Sequence, residues 1–265
     1  MKFTARTILG FLLIPLLLIA LILSTIRFQV LSPLFWQNTL RNNNVYTNLA
    51  SVLKTAAEEK TVKEGGSLKE VKVLTNLITP ANLQEFIEKN VKNLLDFANG
   101  KTKEAMVFVP VKILPNGLLP PNLGKITENT PLATLLTEFN VQGIKQTQIE
   151  NFAKTGQSVD YLLALDIALI ALILIGIFVL TDKSKRFIAP AVVFILWGII
   201  ILVLSQLWFI SRTNILADWA KSVNLTQIIL SPFAPYVLDE ILKTWTLVGI
   251  FAIVTGIVLI FLKKK

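Results

Sequence analysis

The sequence predicts a mainly α, integral membrane protein: a four-helix transmembrane bundle with a mostly helical extracytoplasmic domain that contains a short strand or hairpin. Three observations lead to this fold class. Hydrophobic residues make up 53% of the chain and charged residues only 16%, which is too apolar for an ordinary soluble domain. The apolar excess is concentrated in four blocks, and the positive charge is concentrated in three short segments next to those blocks.

The four apolar blocks have the length of membrane spans. Each is about 17 to 24 residues long, and a helix that rises about 1.5 Å per residue needs about 20 residues to cross the hydrocarbon layer. The first block follows the basic leader "MKFTAR". Its apolar run is longer than the core of a cleaved signal peptide and lacks an A-x-A-like site, so we expect an uncleaved signal anchor. The blocks cover residues 8–26, 161–180, 187–210 and 246–262.

The distribution of charge predicts how the chain is threaded. Lys2, Arg6, the segment 181–186 and the lysine tail 263–265 carry seven of the nine net positive charges. These segments all lie on one side of the bilayer if the four blocks span it alternately. The positive-inside rule places that side, and with it both termini, in the cytoplasm. We therefore expect a multi-pass protein of the cell membrane whose first partner is the lipid bilayer.

This threading divides the chain into seven segments. The largest is an extracytoplasmic domain that holds half of the chain, whereas the cytoplasmic parts are short. The segments are a cytoplasmic stub with span 1 (1–27), the extracytoplasmic domain (28–160), span 2 (161–181), a cytoplasmic turn (182–186), span 3 (187–210), an extracytoplasmic amphipathic loop (211–245) and span 4 with the lysine tail (246–265).

Composition excludes several classes of function. Region 28–160 carries 14 Lys and Arg against 12 Asp and Glu, so no basic surface is left for nucleic acid. The chain has no histidine and no cysteine, which removes disulfides, thiol nucleophiles, His-based metal sites and the Ser-His-Asp triad. It also lacks the glycine-rich motifs that bind nucleotides. We expect a non-enzymatic protein with no cofactor, no metal and no catalytic residue.

The extracytoplasmic domain shows mainly helical patterns. Ser32 and Pro33 indicate a helix start, and "RNNN" at 41–44 indicates a break within the helix that follows. The sequence "EGGS" at 64–67 predicts a flexible turn. Thr79 and Pro80 then indicate a second start, and Gly100 follows the end of that helix.

The apolar positions of this second helix recur at i, i+3, i+4 and i+7, which predicts one buried face. After it, "EAMVFVPVKILPNGLLPPNLG" reads as a strand or short hairpin that turns at Pro-Asn-Gly, and Pro110 would place it at a sheet edge, where a partner strand could add. Residues 131–155 return to helical spacing and lead into span 2. The predicted buried face consists of Leu83, Phe86, Ile87, Val91, Leu94 and Leu95.

The second extracytoplasmic segment, 211–245, is amphipathic. One stripe of it holds Ile215, Leu216, Trp219, Ala220 and Val223. Residues 228–238 are too short and too interrupted by proline to span. We expect helices that lie at the outer interface, either as plain anchors or as a lid over the spans.

Asp166 is the polar residue that stands out in the spans, because it interrupts the apolar run "LLALDIALI" near the outer end of span 2. Ser205 and Gln206 of span 3 match it in depth, and Arg27 and Arg212 lie just beyond spans 1 and 3. One interpretation is an ion pair of Asp166 with Arg27 or Arg212. A second is a polar outer cavity of Asp166, Ser205 and Gln206 for a small solute or ion. A third is a carboxylate that snorkels to the headgroups.

Small residues indicate close helix packing at two places. Ala164 and Ala168 in span 2 form a small-x-x-x-small pair, and so do Ala252 and Gly256 in span 4. Such spacing permits backbones to approach closely. We therefore expect these two spans to pack together.

Two segments also carry a resemblance to known proteins. "SPLFWQNTLRNNNVYTNL" and "ITPANLQEFIEKNVKNLLDFANGKT" resemble parts of an uncharacterised group of bacterial membrane proteins with four spans and a large extracytoplasmic domain after the first. This resemblance implies the same threading and brings no site residues with it. The layout also resembles the cell-division permeases related to ABC transporters, although the six residues 181–186 are too few for the cytoplasmic coupling element of those permeases.

The resulting functional expectation has two main forms, and an enzyme that acts on lipid or cell-wall substrates is a third option. In the first, the extracytoplasmic domain of a non-enzymatic membrane protein binds or scaffolds another component of the bacterial envelope, with a membrane or envelope protein as the partner. In the second, the chain is a transporter or permease subunit that uses the outer polar cluster around Asp166.

Overall fold

A computed structural model gives the fold of the protein and describes residues 2–63, 75–110, 127–138, 146–182, 186–221 and 234–262. The chain forms two compact units. One unit, which we call the apolar unit, combines Met1–Gln29 with Val159–Lys265, and the other, the inserted unit, is Val30–Ser158. The limits of the inserted unit lie two residues inside those of the predicted extracytoplasmic domain, 28–160, and the location of this unit outside the cytoplasm stays a prediction.

The described part of the chain is mostly helical and contains one small sheet. We number its elements in chain order. They are α1 (Lys2–Thr25) with a π-helical continuation (Ile26–Val30), α2 (Pro33–Asn42), α3 (Val45–Lys63), α4 (Pro80–Ala98), β1 (Met106–Phe108), β2 (Asn129–Pro131), α5 (Leu132–Glu138), α6 (Gln146–Leu180), α7 (Ile188–Lys221) and α8 (Ala234–Leu262).

Four of these helices are long and apolar enough to cross a membrane. They contain the four apolar blocks of the sequence, so the prediction of four spanning-type helices is confirmed as a statement about length and composition. The qualifying stretches are Thr7–Val30, Glu150–Leu180, Ile188–Ile210 and Ala234–Leu262.

These four helices share one hydrophobic core. A stripe of leucines on α1, Leu13, Leu17 and Leu21, packs against Ile177 of α6 and against side chains of α7 and α8. Such a one-sided stripe is what a helix needs in order to bury one face and expose the other. The remaining buried members of the core are Val193, Trp197, Ile201 and Ala252.

The segment 211–245 differs from its prediction in the extent of its described helices. Residues 211–221 continue α7, and α8 begins at Ala234, so the segment holds the ends of two long helices where we expected helices lying at the interface. Proline accounts for part of the difference, since Pro235 occupies the first turn of α8, where a missing N–H and a clash with a preceding turn cost little. Residues 222–233 and the side chains of 211–221 lie outside the described residues.

Helix boundaries in the inserted unit follow the sequence signals closely. Ser32 and Thr79 are N-cap residues, and the Thr79 hydroxyl accepts a hydrogen bond from the N–H of Asn82 at 3.1 Å. The asparagine run ends α2, and Asn44 there adopts a φ of 53°. Gly100 after α4 has a φ of 71°, which glycine adopts without strain. The predicted turns at 64–67 and at Pro-Asn-Gly lie outside the described residues.

The buried face of α4 also differs from its prediction. Phe86 and Leu94 are exposed, whereas Glu88 is buried. The helix contacts α2 and α3 as well as β1, so its buried surface is not the single stripe that the apolar spacing predicts. Neighbours on more than one side bury positions that the pattern assigns to solvent.

The predicted strand is present as β1, and it pairs antiparallel with β2. Val107 lies opposite Thr130 in this two-stranded sheet, and the ladder is extended by a hydrogen bond from the Val109 N–H to the Glu128 carbonyl. Residues 131–155, which we expected to be helical, contribute α5 and the first turns of α6.

Candidate functional site

Asp166 lies on the inward face of α6, where it is 5% exposed. Its Oδ2 atom is buried and has no hydrogen-bond partner among the described residues. Arg27, one of its two expected partners, instead forms an ion pair with Asp160 (Nε to Oδ1, 2.5 Å). The side chain of Arg212 is outside the described residues. Asp166 is therefore buried, and it forms no ion pair with another described residue.

Ser205 and Gln206 do not share one side of α7. Ser205 is fully buried, donates a hydrogen bond to the Leu202 carbonyl and accepts one from the Thr246 hydroxyl of α8 at 3.0 Å. Gln206 is exposed. Successive residues on a helix point about 100° apart, so a match in depth along the bilayer does not place both side chains in one cavity. Of the expected polar cluster, Ser205 joins α7 to α8.

The two small-residue pairs have different surroundings. At Gly256 of α8, a Cβ atom would lie 2.7 Å from the carbonyl oxygen of Ala191 and 2.6 Å from Ile195 of α7. Ala252 on the same face is buried. Ala164 and Ala168 of α6 are exposed. We predicted that the two small-residue pairs would pack α6 against α8, and for the described residues this prediction is wrong. The close approach is between α7 and α8.

A polar cluster that the sequence pattern does not reveal joins three helices of the inserted unit. The Glu88 carboxylate of α4 accepts two hydrogen bonds from Arg41 of α2, at 2.7 and 2.5 Å. It also accepts one from the Tyr46 hydroxyl of α3 at 3.2 Å. The bidentate geometry matches the planar guanidinium fork. Within its own helix, Glu88 has Lys92 as a sequence partner four residues later, and no spacing in the sequence points to Arg41 or Tyr46.

The Tyr46 hydroxyl is held in its protonated form. Burial, followed by the negative charge of Glu88 and the hydrogen bond to it, raises the pKa of Tyr46 well above its usual value. The unfolded chain would lose the Tyr46 proton near pH 10, so the folded state binds that proton more tightly. This contribution to stability is complete below pH 10 and declines as the pH rises above it.

We expect an alkaline absorbance titration of the folded chain to show one tyrosine that ionises later than an unperturbed phenol. Tyr46→Phe should remove this late component, because the phenol that Glu88 opposes is then gone. Tyr161→Phe, which changes a side chain that is 80% exposed, is the matched control and should leave the component in place. A late component that persists in Tyr46→Phe would contradict the assignment.

Asn90 closes the free edge of β1. Its side-chain amide accepts a hydrogen bond from the Phe108 N–H (2.8 Å) and donates one to the Phe108 carbonyl (3.0 Å). These two bonds imitate the pairing that a further strand would make. The outer edge of β1 at Phe108 is thus already occupied, which argues against the strand-addition interpretation of this segment.

Asn90→Ala should destabilise the inserted unit by about 2 kcal/mol, because both backbone groups of Phe108 lose their partner. Hydrogen exchange of the Phe108 amide should accelerate in parallel. Asn93→Ala on the same helix makes the same change at a side chain for which the structure gives no such bonds. Equal exchange rates at Phe108 in the two variants would refute the role of Asn90.

The inserted unit contains a half-open cavity of about 680 Å³. Its walls come from the end of α4, the loop at 102–105, the start of α5 and the first turns of α6. Four apolar residues that pack on one another form its floor: Phe97, Ala105, Leu132 and Ala153. The rim is polar and is provided by Thr102, Lys103, Glu104, Thr134, Glu150, Lys154 and Gln157.

Two glycines shape the wall between α4 and α6. A Cβ atom on Gly156 would lie 2.4 Å from the carbonyl oxygen of Ala98, so only glycine permits α6 to approach the end of α4 this closely. Gly100, with its positive φ, lies under the Gln157 side chain. The loop next to it is tied down by Lys101, which pairs with Asp96 at 3.1 Å. Burial acts to raise the pKa of Asp96, but Lys92 and Lys101 outweigh it and hold that pKa below its usual value.

The described residues contain no cluster of three or more histidine, cysteine, aspartate or glutamate side chains that could hold a metal ion. Comparison of the chain with protein-family models, with curated proteins and with solved structures finds no match. Among the described residues, the cavity of the inserted unit and the buried carboxylate of Asp166 are the two features that bear most directly on function.

Proposed function

We propose that the chain is a four-span protein of the cell membrane whose inserted unit lies outside the cytoplasm and binds another component of the bacterial envelope without catalysing a reaction. The observation that carries this proposal is the cavity of about 680 Å³ in the inserted unit. Its volume is in the range of about 300 to 1,000 Å³ that small-molecule sites occupy.

The surface of the apolar unit supports insertion in a bilayer. Large apolar side chains such as Phe11, Val179 and Phe251 are more than 70% exposed on α1, α6 and α8. A soluble protein rarely exposes such side chains over whole helices, whereas acyl chains would cover them. Arg27 and Asp160 pair at the opposite end of these helices from the basic turn 181–186. The positive-inside rule then assigns the turn and both termini to the cytoplasm.

Sidedness is tested with single cysteines, since the chain contains none of its own. In intact cells, Val52→Cys in the inserted unit should react with a thiol reagent that does not cross membranes. Ser184→Cys in the basic turn should react only after the cells are opened. The reverse pattern would refute the proposed threading.

Binding is tested by photocrosslinking in native membranes. A photoreactive residue in place of Gln157 at the cavity rim should give a discrete adduct, and the same residue in place of Val52, which does not line the cavity, should not. An unlabelled envelope extract should reduce the amount of the Gln157 adduct, and this reduction should be saturable. Equal adduct formation from the two positions would refute the cavity as the binding site.

A transporter or permease subunit is the second candidate, and the unpartnered Oδ2 of Asp166 favours it. A buried carboxylate without a hydrogen bond is costly in a membrane and is a common feature of ion and proton pathways. Proteoliposomes loaded with a pH-sensitive dye should then acidify under an imposed potential, and Asp166→Asn should abolish the flux while the Gln157 adduct persists. If liposomes that contain the protein and protein-free liposomes gave the same dye response, this candidate would be refuted.

A further inference from the structure

The cavity of the inserted unit presents both signs of charge. Lys103 and Lys154 bring ammonium groups to its rim, and Glu104 and Glu150 bring carboxylates. Lys103, Lys154 and Glu104 form no ion pair with any residue of the described ranges. Their charges are therefore satisfied by solvent, and a ligand that carries the complementary charges can replace that solvent.

The balance of charge restricts the chemical class of the ligand. A simple anion would be attracted by the two lysines and repelled by the two glutamates, and a simple cation would meet the opposite conflict. A nucleotide or another multiply charged phosphate requires an excess of basic groups, which this rim lacks. A molecule with one carboxylate and one ammonium group can satisfy both sets of side chains.

The floor restricts the ligand further. Phe97, Ala105, Leu132 and Ala153 form an apolar surface at the base of the cavity. Such a floor suits the aliphatic body of a ligand, while polar groups at the rim orient its ends. The volume of about 680 Å³ greatly exceeds the roughly 30 Å³ of one water molecule, so a bare ion would occupy only a small part of the cavity.

We infer that the cavity binds a short zwitterionic peptide or a similar molecule with a free carboxylate and a free ammonium group. Lys103 and Lys154 hold the carboxylate, Glu104 holds the ammonium group, and the apolar floor takes the small side chains between them. This inference rests on the proposed function, because it names the ligand class for the same cavity.

Four peptides of equal length serve as probes for the purified full chain in detergent micelles. Trialanine carries both charges, N-acetyl-trialanine only the carboxylate, trialanine amide only the ammonium group, and N-acetyl-trialanine amide neither. Calorimetric titration should show trialanine as the tightest ligand. Each blocked end should weaken binding by about tenfold, the typical effect of one charge-assisted hydrogen bond.

Substitutions in the cavity test which side chains bind the carboxylate end and which bind the ammonium end of the peptide. Combined replacement of Lys103→Ala and Lys154→Ala should weaken trialanine binding by about tenfold and should not weaken the binding of trialanine amide, since that probe has no carboxylate for the lysines to hold. Glu104→Gln should weaken the binding of trialanine and should not weaken the binding of N-acetyl-trialanine, which has no ammonium group for Glu104 to hold. Lys54→Ala, a lysine of the inserted unit that does not line the cavity, should change none of the four affinities.

Three results would overturn the inference: equal affinity of the four peptides, no binding of any of them at millimolar concentration to chain that circular dichroism shows to be folded, or unchanged trialanine affinity in the lysine variant. Different results would refute the proposed function. Micelles expose both sides of the protein, so a wrong threading would appear in the cysteine labelling and leave peptide binding intact. A rim adduct at Gln157 without peptide binding would retain the binding function and refute only the ligand class.

Discussion

Gly256→Leu is expected to force α8 away from α7 and to lower the free energy of unfolding by about 3 kcal/mol, the upper end of the usual cost of overpacking. A Cβ atom at this position would approach the Ala191 carbonyl oxygen to 2.7 Å. That oxygen belongs to the backbone of a helix and cannot turn aside as a side chain can. Leucine favours helix more than glycine does, so a loss of stability must come from packing.

The matched control is Ala164→Leu on the exposed face of α6. It adds a comparable side chain to the other small-residue pair, and we expect a change within about 0.5 kcal/mol. Unfolding of the purified chain by increasing mole fraction of dodecyl sulfate, followed by circular dichroism, gives both values. Equal losses in the two variants would mean that α6 also packs through its small residues, in conflict with its exposed alanines.

These pairs illustrate what the sequence predicts about the apolar unit. Length and composition predict four spanning-type helices, because each helix must carry its own apolar run and no information from the rest of the chain is needed. Small residues predict where a backbone permits close approach. They do not predict whether a neighbour is present. Gly256 has Ala191 and Ile195 against it, whereas Ala164 has the same signature and is exposed.

The depth of a residue along its helix likewise does not determine the direction in which its side chain points. Asp166, Ser205 and Gln206 match in depth by counting residues from the span ends, but the direction of each side chain depends on how its helix is rotated. Ser205 is turned to Thr246 of α8 and Gln206 to the surface. The spacing of apolar residues predicts rotation only where one face is clearly more apolar than the other, and α7 has no such face.

In the inserted unit, local signals are the reliable ones. The helix starts at Ser32 and Thr79 and the helix end at Gly100 are each indicated by residues within a turn of the boundary, and the structure contains all three boundaries. The cavity could not be predicted in this way, because its floor joins Phe97, Ala105, Leu132 and Ala153 from segments far apart in the chain. Sequence spacing within any one segment does not record that assembly.

Glu88 is the clearest example, since the helical pattern assigns it to the polar face of α4 while its partners Arg41 and Tyr46 lie more than 40 residues earlier. Glu88→Ala should lower the free energy of unfolding by about 2 kcal/mol. The buried Tyr46 hydroxyl loses its acceptor, and the guanidinium of Arg41 loses both of its hydrogen bonds. Arg41 is half exposed, so water compensates part of its loss.

Glu85→Ala provides the control for this prediction, because Glu85 lies on the same helix and pairs with Lys89 at the surface. Exposed pairs of this kind contribute little to stability, so this variant should remain within about 0.5 kcal/mol of the parent. The double variant of Glu88→Ala with Tyr46→Phe should lose less than the sum of the two single losses, since Tyr46 and Glu88 share one hydrogen bond. Strict additivity, or equal losses for Glu85→Ala and Glu88→Ala, would show that the cluster does not hold α2, α3 and α4 together.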